Sequence, residues 1–220
     1  MKKILYAFML KHAEKPSGIR GRAAMWLWNR LNKQLSDWTI EKLNIKSNER
    51  ILEVGYGSGY TLEKIASRLR TGVIAGVDHS PLMYHLARKR NQAHLLSNKV
   101  VLRCGVVDDF SYHRMYFDVI FGTNVHFFWD HPTQEFEKLR LLLKPGGRLQ
   151  IFFQPRHARS DWELMRWAND CRQQVEAAGF SAVKLEIKKA QPVAMICITG
   201  YALKTVNAKE SKKKRMQAFG

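Results

Sequence analysis

Short apolar runs alternate with longer amphipathic stretches over most of the chain. Runs typical of buried strands lie at Ile51–Val54, Val73–Val77, Val100–Arg103, Phe117–Gly122 and Arg148–Phe153. Helical spacing of apolar residues predicts helices between and after them, at Tyr60–Arg70, Pro81–Leu96, Thr133–Leu143 and Asp161–Ala178. Strands that alternate with helices predict an α/β protein with a parallel sheet covered on both faces.

The end of the chain departs from this alternation. Ala182–Lys189 and Val193–Leu203 both have strand composition, and only residues 190–192 separate them. A parallel crossover needs about a dozen residues or more, so these two strands pair antiparallel or lie apart. The predicted sheet is therefore parallel except for its last strand.

The two flanks of the chain differ from its centre. An apolar series from Leu27 to Leu43, at spacings of three to five, predicts a helix that ends near Asn44. We expect three segments: a basic leader with a lid helix over residues 1–44, a folded domain over residues 45–203, and a basic, poorly ordered tail over residues 204–220.

Composition and charge narrow the class of protein. The chain has 220 residues, 45% of them apolar and 25% charged, which is a globular balance. Lys and Arg number 37 against 19 acids, for a net charge of +18. This excess makes RNA, an anionic membrane surface or an acidic substrate a candidate partner, and a purely solubilising role is the alternative.

Targeting and cysteine patterns point to the cytoplasm. No apolar run reaches the roughly 20 residues of a membrane helix. The short run Ile4–Leu10 has no small-residue cleavage site after it. Cys104, Cys171 and Cys197 are odd in number and widely spaced, so we expect neither a disulfide framework nor a metal knuckle.

A glycine-rich turn follows the first predicted strand. Gly55, Gly57 and Gly59 would let a ligand approach the backbone closely. The Lys-Ser or Lys-Thr of a phosphate loop is missing, and the third glycine comes one place early for a dinucleotide fingerprint. Glu53 would repel a pyrophosphate, whereas Asp78, 23 residues after Gly55, suits ribose hydroxyls. The pattern favours a nucleoside with an amino-acid-like or sulfonium end.

These motifs resemble those of class I S-adenosylmethionine (SAM) dependent methyltransferases. The matching segments are Glu53–Gly59, Gly76–Ser80, Phe117–Ile120 with Asn124, and Leu143–Leu149. The leader around Pro16–Gly21 resembles that of a bacterial small-protein branch of the family. The resemblance implies a three-layer, Rossmann-like sheet of seven strands in the order 3-2-1-4-5-7-6, with SAM as cofactor and S-adenosylhomocysteine as product.

The resemblance also implies where the cofactor binds. The glycines would lie under its methionine half, Asp78 would hold the ribose, and Asn124 would lie below the sulfonium. An acid that often contacts the adenine amine directly follows a glycine in this family; here Gly105 is followed by two valines, and we assign the contact to Asp108. The implied cofactor residues are Glu53, Gly55, Tyr56, Gly57, Gly59, Asp78, His79, Ser80, Val107, Asp108, Asn124 and Val125.

His126 is the candidate catalytic residue, because it follows Asn124 by two and imidazole titrates near working pH. A base is needed only if the acceptor must lose a proton, and the alternative is that His126 packs in the pocket wall. A zinc site from His126, His131 and His157 lacks typical ligand spacing, so no metal is predicted.

An aromatic pocket under the leader helix would hold the methyl acceptor. The candidate acceptor-pocket residues are Trp26, Trp28, Asn29, Asn32, Phe128, Trp129 and Arg156, with Tyr56 and Phe127 as further aromatic walls. Aromatic walls suit a planar, lipidic or cationic acceptor. We expect methylation of a small molecule or lipid head group. The alternatives are an RNA methyltransferase that uses the basic flanks for phosphate contacts, and a non-catalytic SAM-binding module.

Overall fold

The computed structural model describes residues 32–109 and 114–203. Its helices and strands are, in chain order, α1 (described over residues 32–42), β1 (Arg50–Val54), α2 (Tyr60–Ala66), β2 (Val73–Asp78), α3 (Pro81–Arg90), α4 (Gln92–Leu96), β3 (Val100–Cys104), β4 (Phe117–Thr123), α5 (Pro132–Leu142), β5 (Leu143–Phe153), α6 (Asp161–Ala177), β6 (Ser181–Lys188) and β7 (Met195–Tyr201). Single turns of 3-10 helix follow β3, at Val107–Asp109, and β4, at His126–Phe128.

The seven strands form one sheet in the order β3-β2-β1-β4-β5-β7-β6. β7 pairs antiparallel with both β5 and β6, and the pairings from β3 to β5 are all parallel. This confirms the predicted fold, including the antiparallel last strand. The carboxyl ends of β1, β2, β3 and β4 therefore meet at one edge of the sheet.

Helices cover both faces of the sheet, as the three-layer prediction requires. On one face α5 and α6 bury Phe136 and Leu164 against Leu52 of β1. On the other face α1, α2 and α3 pack against strand residues such as Ile51. Ile51 and Leu52 are neighbours that point to opposite faces because the side-chain period of a strand is two.

The predicted helix at Pro81–Leu96 is two helices. Asn91 is fully buried at the break, and its side-chain amide donates hydrogen bonds to the carbonyls of Gly59, at 3.1 Å, and Ala87, at 3.0 Å. The side chain thus ties the end of α3 to the glycine turn. The sequence pattern alone did not indicate this break.

The Lys-Pro-Gly-Gly segment ends α5, as predicted, but it interrupts β5 instead of preceding it. Leu143 pairs with Phe117 and Arg148 pairs with Val119, so residues 144–147 bulge out of the ladder. Lys144 Nζ contacts a carboxylate oxygen of Asp118 at 2.6 Å across this bulge.

α1 packs on the sheet next to the site. Its Leu35 and Trp38 are buried, and the Trp38 ring meets Phe152 of β5 edge-on, with centroids 5.6 Å apart. The boundaries at residues 44 and 204 stay predictions, and the predicted tail lies outside the described residues. In the part of the chain that the structure describes, no helix is long and apolar enough to cross a membrane.

Candidate active site

The glycine turn joins β1 to α2 in a left-handed backbone conformation. Gly55, Gly57 and Gly59 have φ angles of +73°, +53° and +76°, which side-chain-bearing residues rarely adopt. The Gly55 amide donates to the carbonyl of Val77 on β2, at 2.8 Å, which fixes the start of the turn. A Cβ on Gly57 would meet nothing within 4 Å, so this glycine leaves room for a ligand against the backbone.

Asp78 ends β2 directly beside the turn. Its Oδ2 accepts a hydrogen bond from the Gly57 amide at 2.8 Å, and its Oδ1 accepts one from the Ser80 amide at 2.9 Å. Burial raises the pKa of this carboxyl, and the two amide hydrogen bonds act in the opposite direction. Each carboxylate oxygen keeps a lone pair for a further donor.

A cavity of about 520 Å³ opens over the carboxyl ends of the strands. The predicted site residues that line it are Gly55, Gly57, Asp78, His79, Val107, Asp108, Asn124, Val125, Phe128 and Trp129. Its charged lining comprises four carboxyl side chains, those of Asp78, Asp108, Asp130 and Glu135, and one ammonium, that of Lys138. The cavity is therefore predominantly acidic.

A smaller cavity of about 80 Å³ lies between the glycine turn and α1. It adjoins the larger one, because Gly55, Gly57, Thr123 and Asn124 line both. Three buried polar atoms on its wall have no hydrogen-bond partner among the described residues: Asn32 Nδ2, Glu53 Oε2 and Thr123 Oγ1. Unpaired buried polar groups are costly, so this grouping of one donor and two acceptors is suited to a polar ligand.

Glu53 lies at the base of the smaller cavity and is 1% exposed. Burial raises the pKa of its carboxyl to about 8, and a hydrogen bond with Thr61 acts in the opposite direction. In the free protein the group is mostly protonated near pH 7. A ligand ammonium at its unpaired oxygen would favour the ionised form.

Asn124 connects the site to α1 and β5. It adopts a positive φ of +55°, which Asn tolerates better than most residues. Its side chain donates to Asn32 Oδ1 at 3.4 Å and accepts from the Gln154 amide at 3.0 Å. Asn32, predicted for the acceptor pocket, instead lines the smaller cavity beside the glycine turn.

Several predicted site residues have side chains engaged elsewhere, which corrects their assignment. The Tyr56 ring is buried in the core and its hydroxyl donates to the Arg103 carbonyl at 3.0 Å, so Tyr56 lines the smaller cavity beside the glycine turn and is no wall of the larger one. Ser80 caps α3 by accepting from the Met83 amide at 3.4 Å, as its position before Pro81 predicts, and does not line the cavity.

Gly59 and Arg156 also lie off the lining of both cavities. A Cβ on Gly59 would come within 2.6 Å of Asn91 Nδ2, so this glycine serves helix packing and not ligand approach. Arg156 follows β5, and its role toward the acceptor stays a prediction. Phe127 packs on Phe153 and Trp167, with centroids 5.6 Å and 5.5 Å away. Trp26, Trp28 and Asn29 lie outside the described residues.

His126 packs in the core, which corrects its assignment as a base. It is 5% exposed and does not line the larger cavity. Its ring centroid lies 4.1 Å from that of Phe127 and 4.5 Å from that of Phe153, and neither nitrogen has a hydrogen-bond partner within the described part of the chain. Burial lowers the pKa of the imidazole to about 3, so it is neutral and does not accept a proton at working pH. The packing alternative accounts for this residue.

Sequence reasoning missed several cavity residues. Thr123 ends β4 immediately before Asn124, a position at the carboxyl end of a strand that could have indicated it. Glu135 and Lys138 are three apart on α5, and Lys138 Nζ contacts both Glu135 and Asp108 at 2.8 Å. That link between α5 and the loop after β3 had no signal in the sequence.

Within residues 32–109 and 114–203, no group of three or more metal-ligating side chains is present.

The fold and the site together define a nucleoside-binding α/β domain, and comparison with known proteins gives its family. Residues 51–147 match the family model described as a methyltransferase domain. The uncharacterized methyltransferase YdaC of Bacillus subtilis (strain 168) is 30% identical over 169 residues, which are 76% of this chain and 91% of that protein.

Two solved structures share the fold. A SAM-dependent methyltransferase from Aquifex aeolicus superposes with a TM-score of 0.64 at 16% identity, over 82% of this chain and 98% of that one. Phosphoethanolamine N-methyltransferase 2 of Haemonchus contortus was solved with S-adenosylhomocysteine and phosphomonomethylethanolamine. It superposes with a TM-score of 0.64 at 13% identity, over 83% of this chain and 58% of that one. The chain belongs to the class I SAM-dependent methyltransferases. It is an enzyme whose cofactor is SAM.

Proposed function

We propose that the enzyme transfers the methyl group of SAM to a small-molecule or lipid-head-group acceptor held in the larger cavity. The acidic lining of that cavity carries the proposal. Beyond Asp78 and Asp108, which are assigned to the cofactor, the cavity carries Asp130 and Glu135, and its single lysine, Lys138, already contacts Asp108 and Glu135. Carboxylates repel a phosphodiester chain, whereas they tolerate a sulfonium and a neutral or cationic acceptor.

The size of the cavity supports the same conclusion. The volume of about 520 Å³ falls in the range of about 300–1,000 Å³ that is typical of sites for small organic ligands, and the nucleoside of SAM would share it, which leaves room for a small acceptor. The end of the cavity beyond Val125 has Phe128 and Trp129 on its wall. Their ring faces suit a planar acceptor or a cationic amine, with Asp130 beside them as the acidic group.

The residues present fit the cofactor. In the smaller cavity, Glu53 and Thr123 offer acceptors to the ammonium of the methionine end, and Asn32 offers a donor to its carboxylate. The Asp78 carboxylate would accept from the ribose hydroxyls at the mouth of the glycine turn, and Val107 with Asp108 would hold the adenine. Because Asn32 lies on α1, this helix would close over the methionine end.

SAM, when bound, supplies an activated methyl group that a nucleophile takes by in-line displacement. Catalysis then rests mostly on positioning, so the chain needs to align the acceptor and exclude water. Phe128 and Trp129 would orient the acceptor and shield it from solvent. Asp130 and His131, next to Phe128 and Trp129 in the chain, are the candidates to take a proton from an acceptor that must lose one.

Labelled methyl transfer tests the acceptor class. The full-length protein is incubated with methyl-labelled SAM and with cell extract separated into metabolite, lipid and RNA fractions. We expect label in the metabolite or lipid fraction, and much less label with Asp78→Ala, the cofactor-site control, at a SAM concentration near the wild-type Kd. Label confined to RNA would contradict the proposal. The variant pair Phe128→Leu and Trp129→Leu should then lower transfer to the identified acceptor more than it lowers SAM affinity.

A further inference from the structure

Positive charge is concentrated in one part of the described fold. Residues 60–104 hold eight Lys or Arg side chains against two acids, Glu63 and the buried Asp78 of the site. Residues 32–59 hold four of each sign, and residues 105–109 and 114–203 together hold twelve cations and eleven acids. The excess positive charge within the described residues therefore lies almost entirely between Tyr60 and Cys104.

Seven of these cations form one surface, called the basic edge from here on: Lys64, Arg68, Arg70, Arg88, Lys89, Arg90 and Lys99. All are exposed except Lys99, which is half-buried. Contacts across α2, α3 and β3 show that the surface is continuous. Arg90 and Lys64 lie over the ring of Tyr60, at 5.7 Å and 5.8 Å from its centroid. Lys99 Nζ donates to the Leu69 carbonyl, at 2.8 Å, after the end of α2.

Among the described residues, six of the seven cations of the basic edge have no ion-pair partner, whereas several cations elsewhere are paired. Lys144 contacts Asp118 at 2.6 Å and Arg148 contacts Glu49 at 2.8 Å. On the basic edge the one ion pair among described residues joins Arg90 to Glu63, at 3.9 Å. This surface therefore keeps its charge available for an external anion.

The basic edge lies away from the larger cavity, and it approaches the smaller one at Tyr60, whose ring lies beneath Lys64 and Arg90. Arg70 comes just before β2 and Lys99 just before β3, whereas Asp78 is at the far end of β2. A six-residue strand spans roughly 20 Å at about 3.3 Å per residue, so an occupant of the basic edge would not cover the cavity. Binding there is thus independent of the acceptor chemistry.

The residue types favour a nucleic-acid backbone over a membrane. Four of the seven cations are arginines, whose planar guanidinium matches phosphate oxygens in two-point contacts. Tyr60 and Tyr84 interleave with them, and Arg88 lies 5.7 Å from the Tyr84 ring centroid. Both rings are half-buried, and their exposed parts suit the unstacked bases of a single strand. Membrane insertion needs several apolar side chains, and between residues 60 and 104 Leu96 is the one large exposed apolar residue.

We propose that the basic edge binds single-stranded RNA through its phosphate backbone. This function goes beyond methyl transfer and does not depend on the acceptor proposed above. The bound RNA is a docking partner and not the substrate.

RNA affinity across a salt series tests the proposal with the full-length protein and a single-stranded RNA oligonucleotide. The test variant carries Arg70→Ala, Arg88→Ala and Lys89→Ala, three side chains without ion-pair partners among the described residues. Each lost phosphate contact should flatten the log–log salt slope by about 0.7, so the slope should fall by about 2. Affinity near 50 mM salt should fall by at least about tenfold.

A matched control removes the same charge elsewhere, with Arg114→Ala, Lys184→Ala and Lys189→Ala. These side chains are exposed and lie outside the basic edge. The control should keep its RNA affinity within about twofold of the wild type, and both triple variants should keep the SAM affinity of the wild type. Retained SAM binding also reports that each variant is folded. A second test variant, Arg68→Gln with Arg70→Gln, should weaken RNA binding in the same direction.

Two results would overturn the proposal. Equal loss of RNA affinity in the test and control variants would mean that net charge alone drives binding. Binding to vesicles of anionic phosphatidylglycerol, with no RNA binding at the same salt concentration, would assign the surface to a membrane. Neither result would change the outcome of the labelled methyl-transfer experiment. RNA binding by the basic edge and the class of methyl acceptor are therefore tested separately.

Discussion

The Asp78 carboxylate accepts a hydrogen bond from the backbone amide of Gly57, at 2.8 Å. The residue predicted to hold the ribose therefore also holds the glycine turn in its left-handed conformation. A single side chain links the two halves of the cofactor site. Loss of that side chain should remove a ligand contact and loosen the turn together.

Asp78→Ala should weaken SAM binding by at least about tenfold, because each charge-assisted hydrogen bond contributes roughly 1.5–3 kcal/mol. Asp78→Asn, which keeps an acceptor for one of the two amides, should lose less affinity than Asp78→Ala. Isothermal titration with SAM measures both variants. Unchanged affinity in the alanine variant would show that the ribose contact lies elsewhere.

Glu53 should make SAM affinity depend on pH. Its pKa of about 8 leaves it mostly protonated near pH 7, whereas a bound ammonium favours the ionised form. Affinity should therefore rise from pH 6 to about 8, with proton release seen as a buffer-dependent binding enthalpy near pH 7. In Glu53→Gln both the glutamate-linked proton release and much of the affinity should be lost. A glutamine variant that keeps the wild-type affinity and pH profile would exclude this contact.

The same pKa has a consequence for stability. The unfolded carboxyl ionises near pH 4.5 and the folded one near pH 8, so the free energy of unfolding falls as pH rises between these values. Glu53→Gln should melt at a higher temperature than the wild type above pH 8 and at a similar temperature near pH 4.5. Thermal melts at the two pH values measure the difference, and a lower melting temperature of the variant above pH 8 would argue against a buried charge.

His126→Leu should stabilise the protein in acid and leave catalysis intact. The folded imidazole has a pKa of about 3 and the unfolded one about 6.5, so the free energy of unfolding falls as pH decreases between these values. Removing the two unpartnered nitrogens should raise the free energy of unfolding by about 1–3 kcal/mol at pH 5, and by less at pH 8. Urea melts at both pH values test this. Loss of methyl transfer in a folded variant would restore His126 as a catalytic candidate.

Gly57→Ala should mainly lower the affinity for SAM, whereas Gly59→Ala should mainly lower the melting temperature. Both positions have positive φ, which costs an alanine about 1–2 kcal/mol. At Gly57 the added methyl meets no protein atom and would enter the ligand space, so SAM affinity should fall with a small loss of melting temperature. At Gly59 it would come within 2.9 Å of the Ala87 Cβ, so the loss of melting temperature should be the larger one. The opposite ranking would place the ligand on the other side of the turn.

The sequence predicted the architecture because its cues were local. The strand runs, the short link before β7 and the glycines with Asp78 are all cues between residues close in the chain. Tertiary contacts determine the side-chain directions and the helix break that the sequence pattern did not predict. Tyr56 follows a predicted ligand glycine, yet its ring turns into the core, and His126 is two residues from Asn124 but points away from the cavity. The break between α3 and α4 at Asn91 depends on a hydrogen bond from its side chain to the carbonyl of Gly59, 32 positions earlier.

A crystal structure of the S-adenosylhomocysteine complex tests the central claim most directly. The account predicts the ribose on the Asp78 carboxylate in the larger cavity. It also predicts the amino group within hydrogen-bond distance, about 3 Å, of Glu53 in the smaller cavity beneath α1. A ligand with its amino-acid end in the larger cavity, or one that leaves Glu53 Oε2 unpaired, would contradict the account.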